Sequence, residues 1–494
     1  MPNFKSYNQD QPLLLPLNIK ELIPEGDIVY VINTVVEHLN ITSIYLHVDN
    51  DKGGCPAYHP KMMLKVLFYA YAEGISSARQ IDRRLSSDVK FMYLSGMQTP
   101  DFRTISNFRK DNKEQLIELF VQVVKLCQEL GLAKLGHVAI DGSKLRANAG
   151  RRNSRSEEKL EKMEEAINQQ IQELLKESEK IDKEEDALYG NSNRGDEIPK
   201  ELAKKEILKE RVLQAKKLLE QRECKEINMT DPDSRFMKYA DGGKNVSYNV
   251  QIAVDADHQI IVASDVSSEP TDQHQFIPMY EQVVENTRKK PDEVSADSGY
   301  DTNENYIYME ENNIDAYVPD QQSKKEIDKN GQEHIPEFDK RNFIFNEEQG
   351  TYVCPAGQQL HHKKTYEKNG VIYNIYESAN CQECECKSKC TKSRQRQIIV
   401  SAADPVKAKM RKKLNSDDGK NHYFKRMYTV EPVFGYLKKV LRFACFQLRG
   451  GPKVKGEFSL MCIAYNIRKI YLSLKLDKLY ELLNRILLKY RLCS

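Results

Sequence analysis

Three widely separated acids, Asp141, Asp297 and Glu431, are the residues of this sequence best placed to do chemistry. Each aspartate closes a short apolar run, His137-Val-Ala-Ile-Asp141 and Val294-Ser-Ala-Asp297. The β-branched residues in these runs predict strands, and open sheets carry ligand-binding groups at strand ends. Gly142-Ser143 follows the first aspartate and Ser298-Gly299 the second, small residues that leave room for a large polyanion. Glu431 falls in a predicted helix with Val430, Val433, Phe434 and Leu437, and Lys438, seven residues on, shares its face. Nine Lys or Arg and one acid, Glu431 itself, lie between Lys420 and Lys455; ten and one, Asp404, lie between Lys387 and Lys413. A salt-bridged helix would mix its charges, so both segments read as built to meet phosphate. Arg426, Lys439, Arg442, Arg449 and Lys453 are the candidate contacts. Three carboxylates suit a hard cation such as Mg²⁺ or Mn²⁺. Two such ions about 3.5–4 Å apart can activate an attacking oxygen and stabilise a leaving one.

A second chemistry is written in cysteine. Five of the eleven cysteines crowd into Cys354-Pro-Ala-Gly357 and Cys381-x2-Cys384-x-Cys386-x3-Cys390. The spacing resembles a zinc-binding knuckle, and thiolates favour Zn²⁺ over Mg²⁺. Cys354, Cys381, Cys384 and Cys390 are the chosen ligands for a structural Zn²⁺, with Cys386 or His361 as replacements; free thiols in a flexible insert are the alternative. A secreted disulfide scaffold would be short and cysteine-dense throughout, so a reducing cytoplasm fits better.

These residues need a scaffold, and 494 residues suffice for two to four domains. Net charge is only +2, so distribution rather than total charge must speak for partners. Met1 to Asp10 is polar and no apolar run reaches membrane-span length; Phe458 to Leu474, interrupted by Asn466, Arg468 and Lys469, reads as an amphipathic helix. Residues 1–135 read as helical, a region for DNA contact or dimerisation, and 136–494 as an α/β unit with a mixed sheet and flanking helices. That unit carries two insertions. Residues 151–230 are a charged antiparallel helical hairpin, with Leu160, Met163, Ile167, Leu174 and Ile181 facing Leu208, Val212, Ala215 and Leu219, and a break at Gly190 to Pro199. Residues 320–405 are loop-rich and hold the cysteines. Between the insertions, Val246 to Asp255 and Ile260 to Val266 form a hairpin, followed by helix, strand, helix and strand.

Strand–Asp, hairpin, helix, strand–Asp, helix, strand and helix–Glu resembles the RNase H-like catalytic domain of DDE transposases. The likeness is closest to bacterial insertion-sequence transposases with an N-terminal helical domain. It is carried by Pro56-Ala-Tyr-His-Pro60, Leu64 to Tyr71, Gly74-Ile-Ser-Ser77, and Pro100-Asp-Phe-Arg-Thr-Ile-Ser-Asn-Phe-Arg109. In the second half it is carried by Ile140-Asp-Gly-Ser-Lys144, Tyr248-Asn249 with Asp255, Ala296-Asp-Ser-Gly-Tyr300, Thr429-Val-Glu-Pro-Val-Phe-Gly-Tyr-Leu-Lys438, Arg449-Gly450 and Ala464-Tyr-Asn466. The resemblance implies that Asp141, Asp297 and Glu431 are the metal triad and that Lys438 contacts double-stranded DNA. Related families place a Tyr and an Arg seven and four residues before the Glu; here those positions hold Phe424 and Met427, with Arg426 and Tyr428 displaced. The implied reaction is metal-dependent nicking at the element's end, then attack of the freed 3′-hydroxyl on a phosphodiester. A homodimer or higher assembly on DNA, associated with the nucleoid, is implied as well.

Two other functional readings compete: an inactive or domesticated DNA-binding protein, and a metal-dependent nuclease without strand transfer. Among remaining residues, His137 is expected to be structural, the site's rim is only the minority reading for His274, and Asp255 and Asp265 are expected to serve turns. Phe434, Tyr436 and Phe443 are expected in the core.

Overall fold

The computed structural model describes residues 18–46, 57–189, 200–222, 224–239, 241–321 and 335–474, with 478, 479 and 481. Met1 to Asp10, Pro56, the break at Gly190 to Pro199 and most of the chain after 474 lie outside the described residues.

Apolar residues at helical spacing make the N-terminal region helical. Its helices are α1 (Ile28–His38), α2 (Pro60–Ala72), α3 (Ala78–Leu85), α4 (Val89–Ser95), α5 (Phe102–Asp111) and α6 (Lys113–Glu129). Pro60 opens α2, where a missing N–H is tolerated. Asp101 caps α5 by accepting from the Thr104 N–H at 2.8 Å.

Six strands then form a mixed sheet: β1 (His137–Arg146), β2 (Arg235–Lys238), β3 (Lys244–Asp255), β4 (Ile261–Ser267), β5 (Glu293–Ser295) and β6 (Ala316–Tyr317). Their order is β2-β3-β1-β5-β6, with β4 also pairing β3. β3 runs antiparallel to β1 from Val138↔Asp255 to Arg146↔Ser247. β5 lies parallel on the other side, only from His137↔Glu293 to Ala139↔Ser295. The sequence places the end of the first strand at Asp141, but β1 continues to Arg146. β3 supplies its hydrogen bonds on one side, while β5 has already stopped on the other. Asp141 is therefore mid-strand yet beside an open edge.

Between β1 and β2 stand α7 (Glu157–Tyr189) and α8 (Lys200–Gln221). Lys216 meets Glu164 at 2.9 Å and Lys205 meets Gln170 at 2.7 Å, which makes the pair antiparallel, as expected. A short ladder of Ser154–Ser156 with Glu226–Asn228 closes the base of this arm. Its core is thin, built on Leu160, Ile167, Val212, Ala215, Leu219 and Ile227. After β4 come α9 (Phe276–Thr287), β5, then α10 (Asn303–Glu311) and β6.

The cysteine-bearing insertion corrects the loop-rich expectation. It is a five-stranded antiparallel sheet of β7 (Ile344–Asn346), β8 (Thr351–Val353), β9 (Gln359–Lys368), β10 (Val371–Ser378) and β11 (Gln397–Ser401). Most of β9 is exposed, and the core beneath is only Phe343, Leu360 and Ile398 with a few partners. Strands with so little buried face lack the apolar alternation by which strands are recognised.

The chain then forms α11 (Ala403–Asn415), α12 (Asp417–Thr429), α13 (Glu431–Gly435) and α14 (Gly451–Ser473). α14 is not amphipathic: from Val454 to Ile467 almost every residue is buried. It is wedged between β4 and the N-terminal helices α6, α2 and α1, the situation in which a helix turns apolar all round. Gly456 permits the closest approach, since a Cβ there would stand 2.7 Å from the Lys113 carbonyl oxygen. Its buried Asn466 and Glu457 side chains are hydrogen-bonded. Asn466 bonds both the N–H and the C=O of Ile261 (3.0 and 2.9 Å), standing in for a further strand on the edge of β4. Glu457 accepts from Tyr71 at 3.1 Å, and Tyr71 accepts from Arg109 at 2.8 Å. One hydrophobic core runs through the helical region and the mixed sheet. No helix among the described residues is long and apolar enough to cross a membrane.

Candidate active site

Asp141 and Asp297 lie just beyond the parallel pairing of β1 and β5, the crevice where open sheets hold ligands. Asp141 accepts from the Gly142 N–H at 2.9 Å. Asp297 caps the turn Ser298–Tyr300 through the Gly299 N–H at 2.7 Å. The Asp141 side chain is 17% exposed. Burial raises its carboxyl to about 7; Arg426 opposes the rise, Asp297 adds to it, the Gly142 N–H opposes it and Asp272 adds again.

Glu431 reaches the same place from the helical end of the chain. Arg426 joins them: one guanidinium nitrogen lies 3.5 Å from Asp141 and the other 3.7 Å from Glu431. Tyr423 hydrogen-bonds Arg426, and burial raises its phenol. Phe424, Met427 and Tyr428, which flank these two residues, are exposed. Counting back seven and four residues from Glu431 reaches Phe424 and Met427, whereas the side chains turned inward are Tyr423 and Arg426. α12 ends at Thr429, Val430 turns the chain, and α13 begins at Glu431. Beyond it Tyr436–Val440 forms a π-helical turn. From that turn Lys438 donates to Ser143 on β1, and desolvation lowers its pKa against the pull of Asp141.

A fourth acid, Asp272, completes the group and was not legible in the sequence. It precedes α9 in Thr271-Asp-Gln-His-Gln275. One oxygen accepts from Asn249 (2.7 Å) and Gln251 (2.6 Å), both on β3, and the other lies 3.8 Å from Lys144. Tyr300 donates to the side-chain Oε1 of Gln251, so the loop after Asp297 is tied to the same network. The Oδ1 of Asn249 is buried without a partner. The only signal was a polar Asn249 and Gln251 on a strand otherwise buried on both faces. His274 is exposed. The small residues after the aspartates also have another reason than the approach of a polyanion. A Cβ on Gly142 would collide with Gln251 and Asp272, and one on Gly299 would stand 2.8 Å from Asp297 itself.

Cys354, Cys381, Cys384 and Cys390 line one small cavity in the second sheet. Burial raises the Cys390 thiol, and the three other thiols raise it further. Backbone N–H groups of Gln358 and Arg396 point at the sulfurs of Cys354 and Cys381, each at 3.3 Å. Cys386 and His361 do not line this cavity. Thiolate sulfur is the donor type that suits Zn²⁺.

The chain was compared with known families. Residues 17–111 match the model described as Transposase domain (DUF772), and residues 353–471 match the one described as Transposase DDE domain. Both matched models describe transposase domains, and neither spans half of the chain. No curated protein and no solved structure matches it. The second match contains Glu431, Lys438 and all five clustered cysteines. Asp141, Asp272 and Asp297 lie between the two matches, so their grouping rests on geometry alone.

One expectation from the sequence is overturned. The basic run Lys387–Lys413 does not stand free for phosphate along α11. Lys407 pairs with Asp301 (2.6 Å), Lys409 with Glu310 (2.9 Å), Arg411 with Asp320 (2.5 Å), and Lys413 with Asp315. The acids come from the 301–320 segment, so four cations of a run that is one-sided in sequence find their counter-charges in space. In the Lys420–Lys455 segment, Lys439 and Arg442 are exposed, Lys453 is half-buried, and Arg449 is held by Asn148 at 2.8 Å. Asp255 and Asp265 have structural partners: Asp255 accepts from the Leu135 N–H (2.7 Å) and Asp265 meets Lys455 (2.7 Å). Phe434 and Phe443 are in the core, with Tyr436 packed against it.

Proposed function

We propose that this protein is the transposase of an insertion sequence, cutting the element's ends and joining them to target DNA. The observation that carries the reading is the convergence of Asp141 and Glu431 on opposite nitrogens of Arg426, with Asp297 and Asp272 alongside. An RNase H-like fold agrees with the strand order and with carboxylates at the open edge of β1. Asp141, Asp297 and Glu431 would hold Mg²⁺ or Mn²⁺. The fit is supported by the all-oxygen donor set, the acid-raising crowding at Asp141 and the orphaned Asn249 oxygen. Divalent ions there supply activation of the attacking oxygen and charge relief at the leaving one. Asp272 is assigned as a further acid that holds the floor of the site through Asn249 and Gln251.

The remaining groups bind and orient DNA. Arg426 sits between two acids and can turn its guanidinium to a phosphate when cations take over their charge. Lys438 is held over β1 by Ser143 and presents its ammonium beside Asp141. Lys439 and Arg442 meet the backbone further out. The N-terminal helices are assigned to DNA contact or dimerisation, and the cysteine cavity to a structural Zn²⁺. Pairing of two ends requires a dimer or larger assembly.

The test uses pre-cut element ends, a plasmid target and Mg²⁺. Joined products are expected from the wild type. Asp141→Ala, Asp297→Ala and Glu431→Ala should lose cleavage and joining while still shifting end DNA on a gel. Cutting without joining would replace the reading with a nuclease, binding alone with a DNA-binding protein. Full cleavage by any of the three variants would overturn the residue assignment.

A further inference from the structure

A second cluster of ligand-type side chains sits at the opposite ends of the same strands. His137 opens β1 and Glu293 opens β5, paired directly in the parallel ladder. His422 arrives from α12. Its Nδ1 is 2.7 Å from Glu293 Oε2, and the Nδ1 of His137 is 3.0 Å from the same oxygen. Among the described residues this is the three-residue group whose ligand atoms all lie within 4.8 Å of one another.

The outer nitrogens are the second clue. His137 Nε2 lies 2.9 Å from Ser295 Oγ, and His422 Nε2 lies 3.4 Å from Asp418 Oδ1. Each imidazole can thus carry its hydrogen on Nε2 against an oxygen and turn the Nδ1 lone pair inward, as metal-ligating histidines do. The His422 ring is fixed by stacking on Tyr317, 5.2 Å away and 12° from parallel. His137 is 6% exposed, which shields the site on the sheet side. Lys425 lies 3.6 Å from Glu293 and 3.4 Å from His422 Nδ1, and its half-exposed chain is free to swing into solvent.

We propose that His137, Glu293 and His422 bind a borderline divalent cation of the zinc type, which clamps α12 to the start of β1 and β5. Two nitrogens and one carboxylate oxygen suit Zn²⁺, whereas Mg²⁺ takes oxygen. Three protein ligands leave a fourth position for water. The consequence is positional. Arg426 lies four residues after His422 on the same face of α12, so the clamp fixes where the guanidinium meets Asp141 and Glu431. The site is independent of the transposition reading and of the cysteine cavity.

Metal-stripped full-length protein titrated with Co²⁺ tests this by visible absorption. One bound equivalent should show four-coordinate d–d bands without thiolate charge transfer. That equivalent should be lost in His422→Phe, which keeps a ring on Tyr317, and in Glu293→Gln. It should persist in Cys381→Ser, which removes the thiolate site, and in Asp297→Asn, which removes the proposed catalytic one. Circular dichroism of the metal-free variants controls for folding; if His422→Phe fails it, Glu293→Gln and the wild-type spectrum decide. A wild type with no such equivalent, or undiminished uptake by the folded variants, would show that these three side chains only hydrogen-bond one another.

Discussion

Asp141 is an acid that holds its proton to about 7 because burial and the neighbouring Asp297 and Asp272 outweigh Arg426. For an acid raised in this way, the folded metal-free chain binds the proton more tightly than the unfolded chain. The stability this group contributes is complete below its ordinary value of 3.8 and is lost as pH rises through about 7. A divalent cation must displace that proton. Mn²⁺ affinity, measured calorimetrically, should therefore fall about tenfold for each pH unit below 7 and level off above it. Affinity that is flat between pH 5.5 and 7 would contradict the shift. The adjacent Gly142 is under a separate constraint, because any Cβ there meets Gln251 and Asp272. Gly142→Ala should cost about 1–3 kcal/mol in urea unfolding, the range of overpacked sites. It should also impair cleavage by displacing Asp272. An unchanged unfolding midpoint would mean that the network yields freely.

Among the elements, α11 and the α12–α13 break carry the argument. The cations of α11 face carboxylates of the 301–320 segment, whereas Lys439, beyond α13, is exposed. A cation that already has a protein partner releases few counterions on meeting DNA. Lys439→Ala should thus reduce the slope of log affinity against log salt by about 1. Lys409→Ala should leave that slope unaltered. It should also change stability by less than about 0.5 kcal/mol, because its pair with Glu310 is solvent-exposed. Equal slope changes in the two variants would return α11 to the DNA-binding surface. Tyr423 and Arg426 turn inward one position before the residues reached by counting back from Glu431, and the helix is interrupted at Val430 between them and Glu431.

For the whole molecule, α14 decides the architecture. It is enclosed by the N-terminal helices on one side and β4 on the other, and Arg109, Tyr71 and Glu457 form a buried chain across that boundary. Glu457→Ala leaves the Arg109 guanidinium buried without its counter-charge, and the expected cost is about 3–5 kcal/mol. Helical and sheet probes should still unfold together, because they share one core. Two separated transitions in wild-type denaturation would instead mark the helical region as an autonomous unit.

The sequence alone determined helix or strand where β-branched apolar runs or apolar residues at helical spacing mark the segment, because burial selects apolar residues there. It therefore yielded β1, the β3–β4 hairpin, the helical arm and the three acids that end up facing one site. It named the four cysteines that share a cavity, since their spacing is local. Tertiary structure alone decided what depends on partners far along the chain. That includes Asp272 held by β3, Arg426 between Asp141 and Glu431, the pairing of four cations on α11, and the burial of α14 between two regions. Charge and hydrophobicity are written residue by residue, but a residue's charge balance and exposure depend on what packs against it, and only the fold brings those neighbours together.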